Sequence, residues 1–330
     1  MKKTAVIILN WNGRRLLEQF VPVASRFTIS DEANLYVADN GSGDDSVAWL
    51  HEHHPEVKVL EFGENYGFAE GYNRAVERVE EPYVVLLNSD VEVTDGWLGP
   101  LTEFLDANPD VAAVQPKILS WRDKSKFEYA GAAGGYLDRL GYPYCRGRLF
   151  DCIETDRGQY DGTPVDICWA SGAAFMVRRQ DYIDAGGLDP RFFAHMEEID
   201  LCCRLHARGR RVCAVTDSHV YHVGGASLPQ DDPKKTYLNF RNNLLLLHKN
   251  LPKKKGRRLL FVRRLADTLA FGLFLLRGDI SQAGAVVKAH RDFRRMRKLY
   301  TDFPAADTLS RLPGARRNIV AARYLLRKKR

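Results

Sequence analysis

The 330-residue chain predicts an α/β fold: a mostly parallel sheet with helices on both faces, followed by a C-terminal α-helical extension. Three observations predict it. Continuous apolar runs too short for helices recur, each followed by a segment of helical spacing, which is how strands buried on both faces read. The connections between them are short and rich in Asn, Asp and Gly. From about residue 236 the strand pattern stops and amphipathic stretches rich in Lys and Arg take over.

Residues 4–9 (TAVIIL) are the first strand, broken by Asn10-Trp11-Asn12-Gly13, and "RRLLEQFVPVASRF" has helical spacing interrupted by Pro22. "ANLYVADNGSGDDS" repeats the theme, with a strand to Val37, a polar turn from Asp39 and a helix around "SVAWLHEHH". "VKVLEFGEN" is a third strand and "GFAEGYNRAVERV" a helix opened by small residues. "YVVLLNSD" is a fourth strand and "GWLGPLTEFLDAN" another helix. Residues 120–165, rich in Gly and Tyr, read as a long irregular excursion. "DICWASGAAFMVRRQDYIDAGGLD" returns to a strand and a helix, and "VCAVTDSHVYHVGG" is the last strand of the body. "TYLNFRNNLLLLHKN" is an amphipathic helix ended by Pro252 and "KKKGRR", and further helices are expected over 259–276, 280–300 and 316–329. The chain thus divides into a body, 1–235, and a basic helical region, 236–330.

With 45% hydrophobic and 28% charged residues the composition is that of a globular protein, not a disordered one. Its charge is unevenly placed. Residues 251–330 hold 22 Lys+Arg against 5 Asp+Glu, a net of +17, which leaves −10 on the rest of a chain whose total is +7. An acidic body joined to a basic tail divides labour, and the tail suits an anionic surface, phospholipid or nucleic acid. A solvated helical face that only maintains solubility is the plainer alternative. "MKKTAVIILNWNG" runs from two lysines straight into a strand pattern, and the longest late apolar stretch, 265–276, is too short to span a bilayer and holds Asp267. The six cysteines form no CxxC pair, so reduced thiols and a cytoplasmic location are expected.

In parallel sheets, ligands gather at the carboxyl ends of the strands. Asn10 and Trp11, Asp39, Glu64 and Asn65, and Asn88, Ser89 and Asp90 all stand there. Each suits a turn by itself; four successive strand ends carrying such residues are harder to dismiss. A carboxylate at the lip of "VVLLNSD" is costly unless a cation or a donor meets it. Mg2+ or Mn2+ favours such oxygens together with substrate phosphates. Further on, "RFFAHMEEIDLCCRLHARG" crowds Glu197, Glu198 and Asp200 into four residues at the start of a helix. Adjacent acids raise one another's pKa, which suits a general base working near neutrality. A helix cap at Asp200 and an exposed acidic turn at the glutamates fit the same letters. His222 closes the last strand before two glycines, as a further metal ligand or a structural imidazole.

In order, "VIILNWNG", "VADNGSGDDS", "ENYGFAEGYNRA", "LLNSDVEV", "WASGAAFMVRR", "GGLDPRFFAHMEEIDLCCR", "HVGGAS" and "RNNLLLL" resemble the GT-A glycosyltransferases of family 2, in particular the bacterial rhamnosyltransferase-like branch. The resemblance covers roughly residues 4–250. It implies a GT-A nucleotide-diphospho-sugar transferase fold. It also implies that Asn10 and Trp11 hold the base and ribose and that Asp39 bonds the pyrimidine. Glu64, Asn65, Gly67, Phe68, Gly71 and Asn73 would shape the nucleotide-sugar pocket, with Asn88 and Ser89 alongside. Asp90 matches the last acid of the D-x-D metal motif, whose first acid is replaced by Asn88 here, leaving the metal fewer charged ligands. Trp169, Gly172 and Ala173 match the acceptor side. Glu197-Glu198 match a Glu-Asp pair whose second member is usually the base, so which glutamate acts stays open. His222 matches a late metal or phosphate ligand, and Arg241 reaches toward the diphosphate.

The reaction so implied is an inverting transfer of a sugar, dTDP-rhamnose being the first donor to consider, with Mg2+ or Mn2+. The acceptor would be a lipid-linked saccharide in cell-surface polysaccharide assembly, and the protein would sit peripherally at the inner face of the cytoplasmic membrane through its basic tail. No nucleic acid partner is expected; an oligomer stays open. The rival readings are a non-catalytic nucleotide-sugar-binding protein and a nucleic-acid-binding protein acting through the tail. A nicotinamide dehydrogenase would need G-x-G-x-x-G where "NWNGRR" stands.

Overall fold

A computed structural model describes residues 2–224 and 232–319. The strands are β1 Thr4–Asn10, β2 Ala33–Asp39, β3 Lys58–Glu61, β4 Tyr83–Leu87, β5 Val91–Val93, β6 Val111–Ser120, β7 Gly135–Leu137, β8 Pro143–Cys145, β9 Arg148–Leu149, β10 Cys152–Ile153, β11 Val165–Asp166, β12 Ala174–Arg178 and β13 Arg211–His222. The helices are α1 Arg14–Thr28, α2 Ser46–His53, α3 Gly67–Glu77, α4 Gly99–Ala107, α5 Arg179–Asp184, α6 Glu197–Ala207, α7 Pro233–Asn250, α8 Lys253–Leu276 and α9 Ile280–Met296.

The main sheet runs β11-β13-β6-β12-β4-β1-β2-β3, with β5 added to β13. β1, β2, β3 and β4 are parallel, and β12 inserts antiparallel between β4 and β6. The apolar runs follow from this topology. β1 sends Ala5 and Ile7 into one core and Val6 and Ile8 into the other; β4 does the same with Val84 and Leu86 against Val85 and Leu87. The second core is closed by Leu17, Val21, Leu50 and Leu101 of α1, α2 and α4; the first by Ala69, Tyr72, Tyr182, Leu201 and the Leu244–Leu247 run of α3, α5, α6 and α7. Each such aliphatic contributes about 1.5–3 kcal/mol on burial.

Three segments differ from the sequence reading. β6 occupies 111–120, unassigned there, although Pro116 cannot donate to a ladder; opposite it the register of β13 shifts between Val215 and His219. The excursion carries a second sheet, β10-β9-β8-β7, antiparallel throughout. α8 begins at Lys253, so "KKKGRR" lies inside a helix; Pro252 precedes it, a position where a missing N–H costs nothing. Of the helix expected over 316–329, residues 320–329 lie outside the described residues. All six cysteines are free, and no helix among the described residues is long and apolar enough to cross a membrane.

Candidate active site

Parallel register sets Asn10 at the end of β1 beside Asp39 at the end of β2. The Asn10 amide donates to Asp39 Oδ1 (3.0 Å) and to Ser42 Oγ (3.1 Å); Ser42 returns its N–H to Asp39 Oδ2 (2.9 Å) and its hydroxyl to Oδ1 (2.6 Å). Asn10 Oδ1 is buried with no hydrogen-bond partner among the described residues, and a Cβ at Gly13 would stand 2.4 Å from it, so glycine fits before α1. Trp11, 57% exposed, stands free beside this network.

The segment before α3 is shaped by main chain more than by side chains. Asn40 donates to Asn65 Oδ1 and to the Gly67 carbonyl, both at 3.0 Å, and accepts from Tyr66 N–H. Gly67 takes φ +78°, donating to Asn65 Oδ1. Gly71 packs on Leu9, Phe68 sits edge-on to Tyr72, and Tyr72 donates its hydroxyl to the Leu87 carbonyl at the end of β4. Asn73 departs from its expected place in the pocket. Its amide donates to the Leu188 carbonyl and accepts from Leu188 N–H (both 2.9 Å) and Tyr182 hydroxyl (2.6 Å), so it clasps the 187–188 turn. Glu64 is exposed.

Asp90, buried at the strand lip, meets His222: Nε2 lies 3.1 Å from Oδ1. The pairing of β5 with β13 places Val91 opposite His222, and Val223 N–H donates to the Asp90 carbonyl. On the other side of the ring, buried Glu128 approaches Nδ1 at 3.6 Å, an ion-pair distance beyond hydrogen-bond reach. Burial alone would lower the His222 pKa; the two carboxylates outweigh it and raise it to about 10. Gly224, at φ +65°, has no room for a side chain, since a Cβ would stand 2.5 Å from Glu128 Oε1.

The start of α6 is tied to the end of β4 through Gly172-Ala173. Asn88 N–H donates to the Ala173 carbonyl (3.0 Å), and Glu198 Cβ and Cγ lie 3.9 Å from where a Cβ of Gly172 would stand. The Asn88-Ser89-Asp90 strand end and the start of α6 therefore flank Gly172-Ala173. Oε2 of both Glu197 and Glu198 is buried without a hydrogen-bond partner among the described residues. Burial holds the Glu198 pKa up at about 7 despite helix N-terminal N–H groups that favour the anion. Burial, then the charge of Glu198, raises Glu197 well above the carboxylate range. The loop leading in is strained: Phe193, His195 and Met196 take φ of +67°, +67° and +73°. α7 holds it there. The Asn242 amide reaches the carbonyls of Phe192, Ala194 and His195 at 2.9, 2.8 and 2.7 Å, and Arg241 donates to that of Phe192 at 2.7 Å.

Three expected site residues are engaged elsewhere. Asp200 is neither cap nor free acid: fully buried one turn into α6, it accepts from Arg204 (2.9 Å), Lys249 (2.8 Å) and Asn250 (2.8 Å). Arg241 is spent on the loop carbonyls and on Asn242 Oδ1 (2.8 Å). Trp169 is a core residue, its ring against Gly135 and its indole N–H on the Tyr136 carbonyl (3.0 Å). Conversely, Asn40, Ser42, Glu128 and Asn242 belong to the site and escape the sequence reading. Asn40 and Ser42 share the turn that follows Asp39, and Asn242 the "RNN" that begins with Arg241, so their neighbours are the available signal; Glu128, inside the excursion, carries none.

The model of the family "Glycosyl transferase family 2" matches residues 5–178, more than half of the chain. The chain belongs to glycosyl transferase family 2. This glycosyltransferase is 26% identical over 260 residues to the N-acetylglucosaminyl-diphospho-decaprenol L-rhamnosyltransferase of Mycobacterium tuberculosis, covering 73% of this chain and 83% of that one. It is 27% identical over 166 residues to the rhamnosyltransferase WbbL of Escherichia coli, covering 48% and 61%. Among solved structures, Staphylococcus aureus TarS 1–349 superposes with a TM-score of 0.58 at 15% identity, covering 88% of this chain and 80% of that one. The mannosyltransferase PcManGT of Pyrobaculum calidifontis, in complex with GDP-Man and Mn2+, gives 0.55 at 15% identity, covering 88% and 87%. The fold of this glycosyltransferase is GT-A.

Proposed function

We propose that this glycosyltransferase moves a sugar, with inversion, from a nucleoside diphospho-sugar to a hydroxyl of a lipid-linked saccharide in cell-surface polysaccharide assembly. The observation that carries the reading is the pair of glutamates whose Oε2 atoms are buried without a hydrogen-bond partner among the described residues: Glu198 abuts Gly172, whose neighbour Ala173 is hydrogen-bonded to Asn88, two residues before Asp90. A carboxyl held near 7 is poised to take a proton from an alcohol at neutral pH. Glu198 is the base in this reading. Beside it Glu197 is raised well above the usual carboxylate range, by burial and then by the charge of Glu198.

The nucleotide lies along the strand ends, its base against Trp11 and within reach of Asp39, with Asn65, Gly67, Phe68 and Gly71 shaping the pocket wall and Asn88 and Ser89 near the ribose and diphosphate. Gly172 and Ala173 border the acceptor. Asn73, Asp200, Arg241 and Trp169 hold these parts in place without touching substrate.

Among the described residues no group of three or more His, Cys, Asp or Glu could hold a metal alone. Asp90 suits a hard divalent cation that completes its shell with substrate phosphate and water, and His222, 3.1 Å away and held protonated between Asp90 and Glu128, would join it only by giving up its Nε2 proton. Mg2+ or Mn2+ there would neutralise charge on the departing diphosphate. Residues 1–235 carry the chemistry, and the basic region 236–330 holds the protein peripherally at an anionic membrane face where such an acceptor resides.

The mycobacterial relative is named for transfer of L-rhamnose to N-acetylglucosaminyl-diphospho-decaprenol, so a GlcNAc-diphospho-lipid is the first acceptor class to try and rhamnose the first sugar. A panel of dTDP-, UDP- and GDP-sugars with that acceptor, in Mg2+ or Mn2+, tests the reading by product mass and anomeric NMR couplings. Transfer with inverted configuration is expected; transfer with retention, or none from any donor, overturns it.

A further inference from the structure

α8 is built inside out. Its inward residues are Gly256, Leu260, Arg263 and Asp267. Arg263 stacks on Tyr142 at 3.7 Å, donates to the Leu140 carbonyl (3.2 Å) and to Asn243, and pairs with Asp267 (3.5 Å), which in turn meets His290 Nε2 at 3.0 Å. The side turned to solvent carries Phe261, Val262, Leu265, Leu269, Leu273, Leu275 and Leu276, each between 43% and 86% exposed. At about 100° per residue these fall within an arc of about 160°, opposite the polar inner face. A helix that only covers a soluble core shows the reverse distribution.

The charges on this surface are of one sign. Asp267 is the sole carboxylate of α8 and it is buried. Exposed Lys253, Lys254, Arg257 and Arg258 stand at one end of the apolar stripe and exposed Arg277 at the other, with Ile280, 75% exposed, just past the turn. An apolar face flanked by cations, on a helix about 36 Å long that is not apolar enough to cross a bilayer, has the character of an interfacial helix.

We propose that the outer face of α8 docks this protein on an anionic phospholipid bilayer, lying in the plane of the surface, with Phe261, Leu265, Leu269 and Leu276 seated among acyl chains and the terminal Lys and Arg side chains on lipid phosphates. A second copy of the chain is a poorer occupant: two such faces brought together bury no acid against the cations at their ends. The inference rests on the membrane-side placement proposed above and names the surface that makes it, but not on the transfer chemistry.

The test uses the full chain with vesicles of phosphatidylglycerol and phosphatidylcholine in equal parts. Wild type and the double variant Leu265→Asp, Leu269→Asp are compared by co-sedimentation, with circular dichroism and melting temperature as fold controls. A separate Leu269→Trp variant is read by fluorescence quenching from brominated acyl chains. The inference expects vesicle binding that survives raised salt in part, at least a tenfold loss in the double variant at unchanged melting temperature, and quenching of the indole that Leu269→Trp introduces. Binding unchanged in the double variant, binding abolished by salt alone, no quenching, or a wild-type dimer that the double variant dissociates overturns it. Vesicle binding by a protein that transfers no sugar would sink the proposed reaction and leave this surface standing. Should the double variant fold poorly, the quenching result on Leu269→Trp decides.

Discussion

Glu198→Gln is the substitution on which the proposed mechanism turns, because it couples turnover to stability with opposite signs. The glutamine keeps the shape and removes the base. A positioned general base contributes about a hundred- to ten-thousandfold, so turnover falls by that factor while nucleotide affinity holds. Stability moves the other way. The carboxyl titrates near 4.5 in the unfolded chain and at about 7 in the folded one. Between those values the folded state binds the extra proton, so stability falls as pH rises through that window and stays low above about 7. At ~1.4 kcal/mol per pH unit, the ionised Glu198 costs the folded chain on the order of 3 kcal/mol at pH 8. Glutamine does not titrate, so the variant should melt several degrees above wild type at pH 8, and the gap should shrink toward pH 4.5. Scanning calorimetry across pH, beside initial transfer rates and nucleotide binding, reads all three. The wild-type kcat/KM should show an acid limb with an apparent pKa near 7. A variant that melts below wild type at pH 8, or that loses nucleotide affinity in step with turnover, would make Glu198 a structural residue and refute the reasoning.

Glu128→Gln keeps the bulk behind His222 and removes its charge; transfer should fall about ten- to hundredfold and the melting temperature should drop, since buried His222 loses one of its two carboxylates, and an unchanged rate would reduce Glu128 to filler. Trp11→Ala should weaken nucleoside diphosphate binding about tenfold by titration calorimetry while stability stays the same, because the ring is mostly exposed. Lys249→Met strips the ammonium shared by Asp189 and Asp200 at 2.8 Å each, and should cost about 3 kcal/mol in urea unfolding; a loss below about 1 kcal/mol would mean that Arg204 and Asn250 already satisfy Asp200.

The strand ends are legible because a parallel sheet concentrates polar residues there: Asn10, Asp39 and Asn88 occupy the places that the apolar runs before them imply. The pairing of His222 with Asp90 is half legible. Both residues can be picked out, but their contact depends on β5 joining β13, and a three-residue strand leaves almost no periodicity to read. β6 escapes because Pro116 and Lys117 break an apolar run that the sheet tolerates only through the irregular register of its neighbour. Glu128 escapes for a different reason: its meaning comes wholly from tertiary position, since the excursion around it has no strand end, helix start or spacing to mark it. Asp200 looks catalytic because neighbouring acids look alike in sequence. The Lys249 and Asn250 side chains that commit it to structure arrive from 49 and 50 residues away.

That distance bears on how the two halves of the chain depend on each other. Helix α6, which carries Glu197 and Glu198, starts behind three non-glycine residues at positive φ, a conformation that costs on the order of 1 kcal/mol each and persists only when neighbours over-determine it. The neighbours are Arg241 and Asn242 on the loop carbonyls, with Lys249 and Asn250 on Asp200 one turn further along. All four belong to α7, and α7 shares a core with α8 and α9 through Leu244–Leu247, Leu260 and Phe293. The Oε2 atoms of Glu197 and Glu198, buried without a hydrogen-bond partner among the described residues, sit in a frame fixed from that side. The basic region is therefore part of the frame of the candidate site. Its first helix holds the loop and Asp200 that flank the acids, and its second helix turns an apolar face to solvent, so a load on α8 and the position of Glu198 are joined through one continuous piece of packed structure.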